Sequence, residues 1–551
     1  MGIQSTTIPC KGGLNLSATN QELLSLPGHA IQLVNMEPNK SGGYRRITGF
    51  SEWGDVSLPG SAVDVKGIHT YRGGVLAAKG DALYHSFDGT EWTQVNKLVD
   101  GVNQATLIVH AEDAPFSTSN EVTFHMEVYT EGEVDHLYGT TGNGAPFYLK
   151  ITGTDESTAT YTYREVSLGT ELIGAKYQTI FEDQVILANT TEDPSSFIYS
   201  SFATTDLTAS ELSAGLTVRE KYDGSTAGKI SVKRPITGIK EHKGSLFIFT
   251  DRTISAVQGL RNGNAQVVPV TDDVGCIDGN TIQEIGGDLI FLAPDGIRTI
   301  EQTARNNDVE LGVISRKIGP ITDFIFNHID SMTFASTVIR EKNQYRLWYI
   351  NDSLATSTQK AIIMSHSFDS QTGGFSWDFG EIEGWEPTVV TSGEDSNTGE
   401  FLLHGDSLGK VYQFENGDSN FDGTKMRWIW QSPYTDFGDI GIRKTIHKVF
   451  VNLVPEGIVN AQLEIKYDYQ LNTAPQPFPW ELPTQTLPFI IGQFIMGNPS
   501  YLIGASSLGS EGTNTEGSGF TVSFIVKDTD LDDGSFNIES LQVDFAPNGR
   551  V

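Results

Sequence analysis

Short apolar stretches alternate with turn-forming residues along the whole chain. The apolar stretches are rich in Val, Ile, Phe, Tyr and Thr, and clusters of Gly, Asp, Asn and Pro separate them. Apolar residues seldom recur at the three- and four-residue spacing of an amphipathic helix. The pattern therefore predicts an all-β fold.

A longer unit repeats within this pattern. In each copy a Gly-rich or acidic turn leads into an apolar strand, which a second turn and another strand follow. The copies begin near residues 73, 183, 244, 287, 343 and 400. Apart from a first interval of 110 residues they are 43 to 61 residues apart, which is typical of four-stranded propeller blades. We predict a six-bladed β-propeller over residues 51–423, and two unrelated β-sandwiches are the alternative.

Three other segments complete the predicted domain organisation. Residues 1–50 are predicted to close the propeller, tie it to the C-terminal domain or dock a neighbouring molecule. Residues 101–171 alternate apolar and polar positions and contain eleven Asp or Glu against two basic residues, which predicts a small acidic β-domain inserted in the propeller. Residues 424–551 have longer alternating strands and predict a C-terminal β-sandwich.

The chain is strongly acidic. Its 551 residues include 37 Lys or Arg and 69 Asp or Glu, a formal net charge of −32. Such a charge repels phosphate, so it disfavours a protein that grips nucleic acid or an anionic membrane. No apolar stretch approaches the ~18 residues of a membrane-spanning helix, and we predict no membrane anchoring. Two cysteines are too few for a disulfide framework.

A serine motif lies in the sixth copy. Residues 405–409 read Gly-Asp-Ser-Leu-Gly, which matches both the nucleophile elbow and the start of GDSL-type hydrolases. An elbow requires a strand followed by a helix, but apolar strand-like residues lie on both sides of Ser407. The motif is therefore predicted to be a hairpin turn. We predict that the chain is not an enzyme and binds no cofactor.

One acidic cluster could hold a metal ion. Its members are Asp528, Asp530, Asp532 and Glu539. Asp533 replaces the glycine that an EF-hand loop requires, and no helix pattern flanks the cluster. Clustered carboxylates can also bind calcium outside an EF-hand, so these residues are weak metal candidates, with a solvated turn as the alternative.

A second local motif leaves two other functions open. Residues 86–92 resemble the Asp-box turn of sialidase-like propellers, in which Asp and Ser side chains bond to turn amides. The boxes are structural and do not identify an active site. A glycan-binding propeller adhesin and a sialidase-like glycoside hydrolase remain as alternatives.

Several stretches across the chain resemble one known family. They are Pro27 to Ala30 with Asn35 and Met36, Gly42 to Phe50, Val274 to Cys276, Gly286 to Ile297, Ser315 to Ile318 with Pro320 and Ile321, and Trp430 to Asp439 with Arg443 and Lys444. Together they are similar to the tail nozzle proteins of short-tailed bacteriophages, which are also called tail tubular or packaged-DNA stabilisation proteins.

The resemblance implies a structural virion protein located in the tail. It implies a ring of identical subunits, a hexamer, which lies below the portal and adaptor and closes the DNA-ejection channel until ejection. The expected partners are the other subunits and the head-to-tail adaptor. Whether tail fibres also attach stays an open question, and DNA is expected to contact the protein only while it passes through the channel. The residues that it suggests for the assembly interface are Gly43, Tyr44, Arg45, Arg46, Arg443 and Lys444.

Overall fold

The structure is a computed structural model of the full chain. The residues that it describes are 2–71, 74–80, 82–95, 98–99, 102–103, 125–131, 134–155, 158–166, 170–261, 263, 265–301, 313–351, 359–369, 374–395, 399–470, 476–482, 487–488, 501–502, 509–529 and 534–550.

The N-terminal segment contains five short strands and one helix. They are β1 (Gln4–Pro9), α1 (Asn20–Leu24), β2 (Gln32–Val34), β3 (Met36–Pro38), β4 (Tyr44–Arg46) and β5 (Phe50–Glu52). Thr19 begins α1 with a capping box, because its hydroxyl accepts from the amide of Glu22 while the Glu22 carboxylate accepts from the amide of Thr19.

The next strands form a series of antiparallel sheets. Blade 1 contains β6 (Val65–Tyr71), β7 (Gly74–Lys79), β8 (Ala82–Ser86) and β9 (Thr93–Gln94). A small hairpin follows, β10 (Leu98–Val99) with β11 (Val102–Asn103). The insertion sheet contains β12 (His125–Glu131), β13 (Val134–Thr140), β14 (Phe147–Thr152) and β15 (Thr160–Glu165).

Blades 2 to 4 follow in chain order. Blade 2 contains β16 (Tyr177–Phe181), β17 (Gln184–Ala188), β18 (Ser196–Tyr199) and β19 (Gly228–Ser231), with α2 (Ala209–Ser213) before its last strand. Blade 3 contains β20 (Ile236–His242), β21 (Ser245–Thr250), β22 (Ile254–Gln258) and β23 (Gln266–Thr271). Blade 4 contains β24 (Gln283–Ile285), β25 (Asp288–Ala293) and β26 (Gly296–Thr299), and α3 (Gly319–Asn327) comes after it.

Two more blades complete the propeller. Blade 5 contains β27 (Met332–Ile339), β28 (Gln344–Asn351), β29 (Lys360–Asp369) and β30 (Gly374–Glu383). Blade 6 contains β31 (Val389–Asp395), β32 (Gly399–Gly405) and β33 (Val411–Phe414), and β5 from the N-terminal segment is its fourth strand. The strands β34 (Asn420–Phe421) and β35 (Thr424–Lys425) extend its outer edge.

The C-terminal strands build a sandwich, apart from one short pair. They are β36 (Ile429–Gln431), β37 (Ile442–Pro455), β38 (Ala461–Tyr467), β39 (Trp480–Glu481), β40 (Leu487–Pro488), β41 (Tyr501–Leu502), β42 (Gly509–Asn514), β43 (Ser518–Gly519), β44 (Val522–Asp528) and β45 (Phe536–Arg550). The strands β40 and β41 pair only with each other among the described residues. The alternation over Ala461–Tyr467 predicts one buried face, and the structure buries every second residue there.

The sheets are arranged in a closed ring. The first strand of each sheet lies innermost, and β31 of blade 6 packs beside β6 of blade 1. A separate apolar cluster fills the space between nearly every pair of neighbouring sheets, while the cluster between blades 4 and 5 continues into the sandwich. The prediction of an all-β propeller is confirmed, and each of the six repeated units forms one blade.

The insertion sheet belongs to this ring. Its innermost strand β12 lies between β6 of blade 1 and β16 of blade 2. One face of β14 buries Phe147 and Leu149 against blade 1, and the other buries Tyr148 against blade 2. The sheet therefore occupies the place of a blade between two others, because both of its faces carry apolar side chains.

The N-terminal segment joins the propeller to the sandwich. One sandwich sheet contains β1, β3, β4, β37, β42, β43 and β45. The other contains β2, β36, β38, β39 and β44, and it continues into blade 5 because β2 pairs in parallel with β30. The strands before residue 53 thus belong to both sandwich sheets and to blade 6.

Within the described residues, no helix is long and apolar enough to cross a membrane.

Candidate functional site

Gly43 and Tyr44, two of the residues that the resemblance suggests for an interface, lie inside this chain. Gly43 has a φ of 90°, and a Cβ atom there would come within 2.6 Å of the Asn537 side chain. Tyr44 is fully buried, and its hydroxyl donates to the carbonyl oxygen of Gly28 at 2.8 Å while accepting from the amide of Gly13 at 3.1 Å. Both positions are fixed by packing within the chain.

The basic residues of that set divide into buried and partly exposed ones. Arg46 is buried and donates to the carbonyl oxygen of Ser419 at 2.6 Å, and buried Lys444 donates to that of Phe520 at 3.3 Å. Gly43, Tyr44, Arg46 and Lys444 therefore offer no surface to a partner, which corrects the interface prediction for these four. Arg45 and Arg443 are partly exposed, and for them it stays a prediction.

The acidic metal candidates are only partly within the described residues. Asp530 and Asp532 lie outside them. Asp528 ends β44 and pairs with Lys425 at 3.2 Å, while Glu539 lies exposed on β45. In the part of the chain that the structure describes, no three His, Cys, Asp or Glu side chains are placed to hold a metal ion. The four residues stay weak metal candidates.

Ser407 lies in the turn between β32 and β33, as the sequence predicts. The Asp406 carboxylate holds this turn by accepting from the amides of Leu408 at 3.0 Å and Lys410 at 2.8 Å. No helix follows the serine, so the strand–turn–helix context of a nucleophile elbow is missing here.

A network of four charges lies where the N-terminal segment meets blades 5 and 6, with Arg346 and Glu37 buried and Lys342 and Glu415 partly buried. The Arg346 guanidinium donates to Glu37 at 2.9 Å and to Glu415 at 2.5 Å. The Lys342 ammonium contacts the same two carboxylates, each at 2.6 Å. Burial raises the pKa of Glu415, but the charges of Arg346 and Lys342 outweigh it and hold the pKa at about 2. The two carboxylates and the two cations thus balance one another in charge.

The sequence analysis did not identify this network. One signal for it is present, because Arg346 interrupts an otherwise apolar strand, Tyr345 to Ile350. A charged residue within such a strand requires a buried partner. Its two carboxylate partners are 309 and 69 residues away in the chain, and local patterns do not report such pairings.

A second polar cluster lies in the central channel of the ring. It comprises His69 from β6, His125 and Glu127 from β12, and Lys240 from β20, whose charge acts on the other three. Burial, and to a smaller extent the charge of Lys240, lowers the pKa of both histidines to about 4. The β6 and β20 strands are separated in the ring by two other sheets, so Lys240 acts on His69 across the channel.

The channel cluster is polar and held in place by its neighbours. Glu127 accepts from the amide of Ile180 at 2.7 Å, and burial raises the pKa of this carboxyl. The His125 ring meets that of Tyr177 edge to face at 5.6 Å between centroids, and its Nε2 has no hydrogen-bond partner among the described residues. With both histidines neutral at pH 7, this cluster presents one ammonium and one desolvated carboxyl, without the hydrogen-bonded nucleophile and base of a catalytic site.

Asp278, near the same channel, should make stability depend on pH. Burial raises the pKa of this carboxyl from 3.8 to about 6, although an accepted hydrogen bond from Asn280 and the charge of Lys176 oppose the shift. A raised pKa contributes stability that is complete below about 3.8 and is lost as the pH rises through about 6. Between about pH 5 and 7.5, wild type should therefore lose stability relative to Asp278→Asn. Chemical denaturation at both pH values measures this, and parallel pH profiles for the two proteins would contradict it.

No protein-family model matches this sequence, and neither does a curated protein. Among solved structures, the extracellular domain of a one-component system from B. thetaiotaomicron aligns with a TM-score of 0.35 and 10% identity. The alignment covers 66% of this chain and 40% of that one, so this chain matches less than half of its length. Hsv2 from Kluyveromyces lactis aligns with a TM-score of 0.33 and 11% identity, over 64% of this chain and 99% of Hsv2. The propeller assignment rests on the strand pairing and the closed ring.

Proposed function

We propose that the chain is a structural subunit of a bacteriophage tail nozzle. In this proposal identical subunits form a ring, a hexamer, below the portal and adaptor of the virion. The ring extends the DNA-ejection channel and keeps it closed until ejection. Its partners are the neighbouring subunits and the head-to-tail adaptor, and DNA contacts it only in transit.

The observation that carries the proposal is how the N-terminal segment is built into the molecule. Two of the stretches that resemble nozzle proteins, residues 27–30 and 42–50, surround or form the strands that enter both sandwich sheets and blade 6. Propeller and sandwich then share a nine-stranded sheet and one large apolar cluster. Because the propeller and the sandwich share a sheet and a core, they should resist being pulled apart. A protein that holds pressurised DNA in a channel requires this rigidity.

The charge supports the same proposal. A channel wall rich in Lys or Arg would bind passing phosphates, and each contact would have to be broken during ejection. With 69 acidic and 37 basic residues, the subunit can supply a wall that repels DNA. At physiological salt the Debye length of about 8 Å lets only carboxylates near the DNA act on it. We therefore propose that the subunits of the ring together surround an axial channel with an acidic wall.

The narrow central channel of the propeller is separate from this conduit. The charge of Lys240 acts on His69 and Glu127 from another sheet of the ring, and we propose that DNA does not enter this channel. In the proposed nozzle the DNA passes along the ring axis outside each propeller. The mass of the assembled protein tests this proposal.

A further inference from the structure

An open groove of about 390 Å³ lies between blades 4 and 5. Its walls are the turn Gly286–Gly287, which joins β24 to β25, and the turn from Arg340 to Asn343, which joins β27 to β28. Glu284 stands at one side, and Ile285 and Val338 form a small apolar floor. The volume is that of a site for a small ligand rather than a docking surface for a protein.

The two glycines keep this groove open. Ile285 pairs with Asp288, so Gly286 and Gly287 form a two-residue hairpin turn with φ values of 60° and 77°. A Cβ atom on Gly286 would lie 3.7 Å from His366 Nδ1, and one on Gly287 would lie 3.9 Å from Lys243 Nζ. Without those side chains a ligand in the groove has access toward Lys243.

Two cations border the groove and can be offered to a ligand. Lys243 is exposed and forms no ion pair with another described residue. Arg340 pairs with Glu394 at 3.1 Å, but their side chains are 69% and 80% exposed. An ion pair so open to water contributes little to stability. The Arg340 guanidinium can therefore release Glu394 and bind another anion with little loss of free energy. The groove therefore has two positive groups, beside the carboxylates of Glu284 and Glu394.

The remaining polar groups suit hydroxyls. The Glu284 side chain is 55% exposed, and its Oε1 lies 3.5 Å from Nδ1 of the buried His242. The Asn343 amide donates to the carbonyl oxygen of His366 at 3.1 Å, which fixes it beside the groove. A carboxylate and an amide next to each other are acceptors and donors for vicinal hydroxyls.

We propose that this groove binds an acidic saccharide. Its carboxylate binds at Lys243 and Arg340, and its ring hydroxyls bind at Glu284 and Asn343. A simple anion would use the two cations but would be repelled by Glu284, and a neutral sugar would leave the cations unused. An acidic sugar can bond to the two cations through its carboxylate and to Glu284 and Asn343 through its hydroxyls. This site does not depend on the nozzle function, since the saccharide contacts one subunit only.

Titration of the full-length protein with glucuronic acid, followed by ligand-observed NMR, tests the proposal. We expect binding near the millimolar range that is common for monosaccharides, and weaker binding of glucose. Arg340→Gln and Glu284→Gln should each weaken the binding of glucuronic acid by about tenfold, since each removes a charge-assisted hydrogen bond. Arg234→Gln is the matched control, because Arg234 also makes an exposed ion pair, at 3.0 Å with Asp251, but lies outside the groove lining.

Three results would overturn the proposal. The first is absence of binding at about ten times the expected dissociation constant. The second is an equal loss in Arg340→Gln and Arg234→Gln, which would indicate general charge attraction. The third is binding of N-acetylglutamate as tight as that of glucuronic acid, which would show that the hydroxyls contribute nothing. Unchanged melting temperatures of the variants, whose sites are exposed, verify that each one is folded.

Discussion

Deleting residues 1–50 should prevent the protein from folding. The deletion removes the strands β1 to β4, which pair with β45, β30 and β36. It also removes Leu33, Met36, Tyr44 and Phe50 from the core. Truncating one such residue costs about 2–5 kcal/mol, whereas a whole domain is stable by only about 5–15 kcal/mol. Insoluble protein, or soluble protein without a cooperative melting transition, is the expected result.

The position of Phe50 explains why blade 6 should be lost as well. Its ring lies 4.5 Å from that of His404 and 5.1 Å from those of Trp385 and Phe421, measured between centroids. Removing residues 1–3 is the control, since they precede β1 and Ile3 is 66% exposed. A protein lacking residues 1–50 that melts at the wild-type temperature and elutes as a sharp monomer peak would disprove the role of this segment.

Replacing Arg346 by Met should destabilise the protein by about 3–5 kcal/mol. The Arg346 side chain is fully buried, and its loss leaves the carboxylates of Glu37 and Glu415 with Lys342 alone. An unbalanced buried charge is far more costly than a missing pair. Urea unfolding measures the change, and Arg234→Met, at an exposed ion pair, should change the free energy of unfolding by less than about 1 kcal/mol.

The double variant Arg346→Met with Glu415→Gln separates charge balance from packing. It leaves Glu37 and Lys342 as a balanced pair at 2.6 Å. It should therefore be more stable than Arg346→Met alone, although it carries one more substitution. If the double variant is less stable than the single one by an additive amount, the network is not balanced by charge and the explanation fails.

The six blades could be predicted because each one is a local unit. A turn and the two strands beside it lie within about twenty residues, so Lys243 to Gln258 reports its own hairpin in blade 3. The role of the insertion sheet could not be predicted in the same way. Its alternation indicates strands, but only the neighbouring sheets show that both of its faces are buried.

Pairings between distant parts of the chain were beyond the local patterns. Phe50 pairs with Phe414 to complete blade 6, and Val34 pairs with Glu381 to link the sandwich to blade 5. Because local patterns do not report long-range contacts, the sequence also did not show that Tyr44, Arg46 and Lys444 are buried within the chain. Those residues carry the resemblance to the nozzle family, but the structure uses them to hold the segments of one chain together.

The mass of the assembled protein tests the nozzle proposal most directly. Mass photometry of the purified full-length chain, alone and with its adaptor ring, distinguishes a single 60.1 kDa chain from a closed ring. The proposal predicts a species at six times the chain mass that forms on the adaptor and has a negatively charged axial channel wide enough for DNA. A protein that stays monomeric with the adaptor, or a ring whose channel wall is basic, would contradict it.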